Sequence, residues 1–281
     1  MSLKLPSYFR ITSDFVFKLV FKHEQYAKHL IEKILGKTIR SIKLVDAEKV
    51  VTDNNFDAKG VRFDVYVEDE EGSRYDVEMQ AVPTKQHLLA LRSRYYISMM
   101  DVDAINKGDE YQELKKSVVI FLCNFAIFDG KLRQYNYIRC ARQNKDLEHK
   151  DATEIIFLSS KGAKSDIIDE DIASFLDYMS GKNKIDNQFV KSIDQEVQEV
   201  NKDPLIRRDI MKWELKLREA RDSGIEQGLE QGLEQEKEDT IVSSLKEKLP
   251  IQLIAKIART TVEKVKETAK KYNLENFIVN N

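Results

Sequence analysis

The stretch Val118–Phe128 constrains the fold of this chain more than any other, because nearly every residue in it is apolar. A short apolar run is typical of a central strand that is buried on both faces of a sheet. The run contains Asn124 and is too short to span a bilayer, which takes about 20 apolar residues. The sequence therefore predicts a sheet with this strand near its centre.

Patterns on either side of this strand predict an α/β sandwich, in which a mixed central sheet is flanked by helices. Helical spacing predicts helices over residues 13–35 and 85–106, which end at Gly36 and at Lys107-Gly108. Further strands are predicted at Ser41–Val51, Val61–Glu68, Arg74–Ala81, Arg133–Cys140 and Glu154–Leu158. The apolar face of the second helix is predicted to consist of Leu88, Leu91, Tyr95, Met99 and Val102. From about residue 169 onwards the chain is predicted to be mainly helical.

The composition favours a cytoplasmic protein with one large domain, or with one domain and a small appendage. Its 281 residues are 42% hydrophobic, which is enough to build a core. Two cysteines exclude a disulfide scaffold and fit a reducing compartment. The opening M-S-L-K-L-P-S-Y-F-R lacks the apolar core of a signal peptide, and no membrane partner is expected. A net charge of −2 argues mildly against a protein that coats nucleic acid, but it allows DNA binding through a local basic patch.

A β-hairpin with carboxylates on one face is predicted by two alternating segments, V-R-F-D-V-Y-V-E and R-Y-D-V-E-M-Q. If Glu68 pairs with Arg74, the register places Asp64 opposite Glu78. Like charges in such a pair destabilise a sheet unless a divalent cation lies between them, as Mg²⁺ does when it binds carboxylates. On the pattern alone, a half-exposed hairpin whose polar face meets water is the simpler interpretation.

The C-terminal tail has a different organisation, with a heptad spacing that predicts a long helix. The apolar positions of this spacing are Ile206, Ile210, Trp213, Leu217 and Ala220. A four-residue repeat, G-I-E-Q-G-L-E-Q-G-L-E-Q, follows with Gly224, Gly228 and Gly232 in register. We expect a homodimer through the helix over residues 206–249, because glycines in register let two helices approach closely. A soft, partly frayed helical connector fits the same pattern equally well.

The last part of the chain is predicted to be a small basic unit of two helices, with a break at Arg259-Thr260-Thr261. Residues 241–271 contain eight Lys or Arg and three Glu. Two interpretations fit this charge: a helix-turn-helix-like contact with DNA, or two short helices with a solvated basic face. The pattern alone favours the second.

Several motifs in order resemble the PD-(D/E)XK nuclease family of transposase-type proteins, also called recombination-promoting nucleases. D-F-V-F-K-L-V-F (Asp14–Phe21) is similar to the leading DxxFKxxF motif of that family. R-F-D-V-Y-V and Y-D-V-E-M-Q are similar to its catalytic hairpin. R-S-R-Y-Y (Arg92–Tyr96) and K-G-D-E-Y-Q-E-L-K-K-S-V-V-I-F (Lys107–Phe121) match the helix and strand that follow. The resemblance covers most of residues 12–130 and, loosely, the glycine-rich tail.

The resemblance implies a restriction-endonuclease-like core and a metal-dependent DNA endonuclease linked to transposase and recombination-type proteins. Asp64 and Glu78 then hold Mg²⁺, for which Mn²⁺ substitutes, and DNA is the partner. Gln80 stands where many relatives have a catalytic lysine, and its amide would orient the attacking water. Phe63 stands where the motif name has a proline, which removes no metal ligand.

The resemblance also suggests a division of the chain and further site residues. A PD-(D/E)XK nuclease-like domain is expected over 1–200, a long helix over 201–249 and the small basic helical unit over 250–281. Asp14 is a candidate for a contact with the metal ligands or with a second metal ion, although a helix cap is the simpler role for it. Candidates for nucleic-acid binding, which fit surface ion pairs as well, are Lys18, Arg92 and Arg94.

Three other functions fit the same sequence. The nuclease fold can be catalytically weak or inactive and act as a DNA-binding or assembly module through its tail. The same site can serve an RNA or toxin-type nuclease. The chain can also be an oligomerisation protein whose long helix is its main feature. The complete set of Asp64, Glu78 and Gln80 argues against the first of these.

Overall fold

The computed structural model describes residues 8–45, 60–163, 168–182 and 185–279. The chain divides into two compact units, a first unit over Met1–Ile210 and a second unit over Met211–Asn281. The division predicted from the sequence, with boundaries after residues 200 and 249, stays a prediction. Among the described residues, no helix combines the length and apolar character that crossing a membrane requires.

The first unit is built on a mixed sheet, which has six strands in the part of the chain that the structure describes. The strands are β1 (Ile42–Leu44), β2 (Val65–Asp69), β3 (Arg74–Gln80), β4 (Ser117–Cys123), β5 (Gln134–Tyr137) and β6 (Thr153–Ser159). Their order across the sheet is β1-β2-β3-β4-β6-β5. The pairs β3–β4 and β4–β6 are parallel, and the pairs β1–β2, β2–β3 and β5–β6 are antiparallel. The predicted α/β fold with a mixed sheet is confirmed.

Strand β4 occupies the centre of the sheet, as its apolar sequence predicts. All seven of its residues are buried, because it has a parallel neighbour on each edge and is covered on both faces. The residues on one of these faces, Val119, Phe121 and Cys123, belong to the same hydrophobic cluster as Tyr96 and Met100 from the following helix. One face of the sheet therefore packs on this helix.

Helices provide the remaining layers of the first unit. They are α1 (Asp14–Phe21), α2 (Glu24–Leu35), α3 (Gln86–Ala104), α4 (Glu170–Met179) and α5 (Gln188–Lys202), with a 3-10 turn at Tyr111–Glu113. Helices α1, α2, α4 and α5 pack on one another, while α3 packs on β4. Gly36 ends α2 in the left-handed conformation, with a φ of 63°, as the predicted helix stop requires.

The apolar face predicted for α3 is wrong at three of its five positions, whereas Met99 is buried and Tyr95 packs partly buried against the same core. Leu88, Leu91 and Val102 are exposed by 46%, 49% and 59%. The buried side is instead formed by Leu89, Ser93, Tyr96, Ile97, Met99 and Met100. Apolar residues lie on more than one side of this helix, so spacing alone cannot select the side that meets the sheet. The predicted strand Ser41–Val51 contains β1, and the part of it beyond residue 45 lies outside the described residues.

The second unit is helical. Helix α6 (Pro204–Lys246) begins in the first unit and continues into the second, where it is followed by α7 (Ile251–Ile257), α8 (Val262–Lys271) and a 3-10 turn at Glu275–Phe277. Residues of all three helices form one core, which includes Ile241, Leu245, Ile254, Val265 and Ala269. The Thr261 hydroxyl accepts a hydrogen bond from the Lys264 amide and caps α8. The predicted break between two short helices is thereby confirmed.

Candidate active site

The β2–β3 hairpin brings the two predicted metal ligands together. Glu68 pairs with Arg74 and Tyr66 with Asp76, as the predicted register requires. Asp64 comes immediately before β2, and its backbone N–H donates a hydrogen bond of 2.9 Å to Glu78 Oε1. The two acidic residues are therefore neighbours at the end of the hairpin ladder.

The Asp64 carboxylate is buried and has partners on two elements. Its Oδ2 accepts a hydrogen bond of 3.0 Å from the Met79 amide on β3. Its Oδ1 lies 2.8 Å from Lys18 Nζ on helix α1. Lys18 also lies 3.3 Å from the carboxylate of Asp14, one turn earlier on the same helix. Helix α1 thus contributes one basic and one acidic side chain to the end of the hairpin.

The Glu78 carboxylate, which is 1% exposed, is paired with Arg92 from α3. Arg92 Nη2 donates to Glu78 Oε2 at 2.6 Å, and its Nη1 donates to Gln80 Oε1 at 2.7 Å. The Nε of the same guanidinium donates to the Tyr96 hydroxyl at 3.1 Å. Because three acceptors hold its planar group, Arg92 orients both Glu78 and Gln80. The Gln80 amide nitrogen donates in turn to the Val82 carbonyl at 2.8 Å.

Asp76 is a third acidic residue beside this pair, which the sequence analysis placed on the hairpin but did not assign to the site. Its side chain is fully buried, and neither carboxyl oxygen has a hydrogen-bond partner among the described residues. Asp76 and Glu78 are two residues apart on β3 and so share a face of the sheet. That spacing is the sequence signal that could have assigned Asp76 to the site.

Burial and mutual repulsion disfavour the ionised form of these carboxylates and so raise their pKa values. Burial raises the pKa of Asp64 to about 6, with the charge of Asp14 acting in the same direction and Lys18 opposing it. Burial, followed by the charge of Asp64, raises the pKa of Glu78 to about 8 against the attraction of Arg92. Burial, with Glu78 and Asp64 nearby, holds the pKa of Asp76 well above its ordinary value. The site has a surplus of acidic groups.

A family model described as PD-(D/E)XK nuclease family transposase matches residues 11–175, more than half of the chain. The chain belongs to this family. No curated protein and no solved structure matches it. The match to the PD-(D/E)XK nuclease family transposases includes α1, the hairpin and α3, so every residue of the site lies inside it.

The residues of this PD-(D/E)XK site fit a divalent cation held by few protein ligands. Four acidic and two basic side chains compose the site: Asp14, Asp64, Asp76, Glu78, Lys18 and Arg92. The basic groups leave a surplus of carboxylates, and the Asp76 oxygens have no partner among the described residues. No three His, Cys, Asp or Glu side chains of the described chain form a ready metal-binding group. Mg²⁺ commonly binds through one or two carboxylates and completes its shell with water and phosphate oxygens, which makes Asp64 and Glu78 the candidates to hold such an ion.

The other predicted site residues lie at different distances from this centre. Lys18, Arg92 and Gln80 contact it directly. Asp14 begins α1, and its carboxylate pairs with Lys18. Arg94 is exposed on α3, and no contact in the described residues joins its side chain to the site. Its predicted role in nucleic-acid binding stays a prediction.

Proposed function

We propose that the chain is a metal-dependent endonuclease that hydrolyses phosphodiester bonds in DNA, with Asp64 and Glu78 as its metal ligands. The observation that carries this proposal is the pair of buried, adjacent carboxylates at the end of the β2–β3 hairpin. A purely structural hairpin gains little from two buried like charges, because the free energy needed to bury each charge can exceed what its ion pair with Lys18 or Arg92 returns. A function that uses the charge accounts for their placement.

The side chains around the pair have separate roles in this proposal. Asp64 and Glu78 hold Mg²⁺ or Mn²⁺, which when bound stabilises charge on the phosphate and lowers the pKa of a bound water. Arg92 keeps Glu78 and Gln80 in place through its guanidinium. Gln80 offers an amide to orient the attacking water. Lys18 places a positive charge at the Asp64 carboxylate, and so offers the basic group that Gln80 cannot supply.

DNA is the proposed substrate because the chain belongs to a family of nuclease-type transposases. Arg94 on the exposed side of α3 is a candidate for a phosphate contact. We infer a cytoplasmic location from the two cysteines, Cys123 and Cys140, which are both free.

Cleavage of supercoiled plasmid by the full chain tests this proposal. The reaction is run with Mg²⁺, with Mn²⁺ and with chelator, beside the near-isosteric variants Asp64→Asn and Glu78→Gln. The matched control is Glu154→Gln, which removes another strand carboxylate that is ion-paired, here to Lys116 at 2.7 Å. We expect metal-dependent cleavage by the wild type and the control, and loss of at least about 100-fold in both site variants.

Binding of the same DNA, measured without metal, separates the two main functions. If no metal supports cleavage while DNA binding persists, the chain is a DNA-binding module on a nuclease fold. If the site variants cleave as fast as the wild type, Asp64 and Glu78 are not the catalytic residues.

A further inference from the structure

The carboxyl ends of three parallel strands lie side by side at the edge of the sheet that carries the candidate active site. Strands β3, β4 and β6 end level with one another, because Gln80 pairs with Cys123 and Cys123 pairs with Ser159. Ligands of open α/β sheets bind outside the carboxyl ends of such strands. The candidate active site uses only the end of β3, where Glu78 and Gln80 lie. The ends of β4 and β6 are therefore candidates for further contacts with a substrate.

Asn124, the residue after β4, is held in place from both neighbouring strands. Its backbone N–H donates to the Gln80 carbonyl at 3.0 Å, and its Oδ1 accepts from the Ser160 hydroxyl at 2.8 Å. The Ser159 hydroxyl donates to the next carbonyl, that of Phe125, at 2.8 Å. Two hydroxyls at the end of β6 thus fix the turn that carries Asn124. Its Nδ2, in contrast, has no hydrogen-bond partner among the described residues.

The Asn124 amide is suited to bind an acceptor from solution, because it is partly exposed and both of its N–H donors are unused. Its orientation is fixed before a ligand arrives, so binding costs little side-chain entropy. A DNA phosphate offers acceptor oxygens, and asparagine is one of the side chains that donate to phosphate. The turn after β4 therefore fits a contact with the DNA backbone.

Positive charge continues the same edge beyond β6. Lys161 is exposed, and its Nζ lies 3.4 Å from the Ser180 carbonyl at the end of α4. Arg10 lies over the next residue, since a Cβ added to Gly181 would be 3.0 Å from the Arg10 guanidinium. The Arg10 side chain makes no ion pair or hydrogen bond within the described part of the chain. Neighbouring strands are about 4.8 Å apart, so the end of β6 lies roughly 10 Å from the end of β3.

We propose that Asn124, Ser160, Lys161 and Arg10, here called the strand-end row, bind the DNA strand beside the bond that is cleaved. Asn124 donates to one phosphate, while Lys161 and Arg10 provide charge for phosphates further along the strand. Ser160 is a positioning residue, because its hydroxyl orients the Asn124 amide. The strand-end row rests on the proposed function, which supplies DNA as its ligand. Its contacts involve no metal, so they can be measured by binding alone.

Binding of a fluorescein-labelled DNA duplex by the full chain, measured in chelator, tests the strand-end row. Asn124→Asp keeps the oxygen that accepts from Ser160 but replaces both N–H donors by a negative charge, so it should raise the Kd at least about 10-fold. Asn144→Asp is the matched control. Asn144 Oδ1 also accepts a hydrogen bond, from the Asp146 amide, in the exposed loop between β5 and β6 at the opposite edge of the sheet. The control should change the Kd by less than about 2-fold, because screening weakens distant charges.

Two further measurements test the charges and the positioning role. Lys161→Gln and Arg10→Gln should each make the slope of log K against log salt concentration less steep by about 0.9, whereas Lys145→Gln, on the control loop, should leave it unchanged. Ser160→Ala should raise the Kd about 3-fold, and it should have no further effect in a chain that carries Asn124→Ala. A general loss of stability would weaken binding in both backgrounds.

The outcomes separate the strand-end row from the proposed function. Equal effects of Asn124→Asp and Asn144→Asp, or no binding of the duplex, would overturn the strand-end row. If the chain cleaves plasmid while Asn124→Asp binds DNA like the wild type, the strand-end row fails and the nuclease stands. If binding depends on Asn124 while no metal supports cleavage, the strand-end row stands and the nuclease fails.

Discussion

Replacing Glu78 by glutamine should make the metal-free protein more stable at alkaline pH. Burial, with the charge of Asp64 adding to it, raises the pKa of Glu78 from an ordinary value of 4.5 to about 8. Because the folded pKa lies above the unfolded one, the stability linked to this group is fully present below pH about 4.5 and is lost as the pH rises to 8. Glutamine does not ionise, so the variant should not lose stability as the pH rises.

The magnitude follows from the difference between the two pKa values. Each pKa unit corresponds to about 1.4 kcal/mol, so ionised Glu78 costs the folded state on the order of 5 kcal/mol above pH 8. The glutamine amide can accept from Arg92 but then faces the Asp64 N–H with a second donor. Losing that hydrogen bond costs about 1–3 kcal/mol. We expect a net gain of about 2 kcal/mol at pH 9, or roughly 4–8 °C in the melting temperature.

Thermal unfolding of the full chain in chelator, followed by circular dichroism at pH 5 and pH 9, measures this effect. Near pH 5 the variant should be level with the wild type or slightly less stable. Glu154→Gln, which breaks the ion pair with Lys116, should gain no stability at pH 9. Added Mg²⁺ should stabilise the wild type and leave Glu78→Gln nearly unchanged, because a ligand stabilises only the state that binds it. A Glu78→Gln protein that is less stable than the wild type at pH 9 would refute the reasoning.

Three further changes test other parts of the structure. Arg92→Lys should slow plasmid cleavage about 10- to 100-fold at saturating metal, because lysine keeps the charge but cannot bond Glu78 and Gln80 together; an unchanged rate contradicts this. Leu122→Ala on β4, which is fully buried, should lower the free energy of unfolding in urea by about 2–5 kcal/mol, and a loss below about 1 kcal/mol would mean a loosely packed centre. Gly36→Ala, at a φ of 63°, should destabilise by about 1–2 kcal/mol in thermal unfolding, and an unchanged melting temperature contradicts this.

The hairpin and the central strand could be predicted from the sequence because they depend on local patterns. Alternation with a period of two places side chains on opposite faces, and the pairing of Glu68 with Arg74 selects the register. Those two features were enough to bring Asp64 next to Glu78. Strand β4 followed from its apolar composition alone.

The partners of the carboxylates could not be predicted in the same way. Lys18 reaches Asp64 from a helix that precedes the hairpin, and Arg92 reaches Glu78 from the helix that follows it. The sequence singled out both residues as basic candidates near nucleic acid, but it held no information on which acid each one meets. That choice depends on how α1 and α3 pack against the sheet.

The sequence by itself determined the central strand, the register of the β2–β3 hairpin and the acidic pair, because alternation and apolar runs act between neighbours along the chain. Tertiary packing alone decided which side of α3 is buried and how far the charges are removed from water. Asp76 shows the difference: its position on β3 follows from the sequence, whereas its complete burial arises because α3 and β4 enclose that face of the sheet. The raised pKa values of this site come from that enclosure, since desolvation depends on atoms that are distant in the chain.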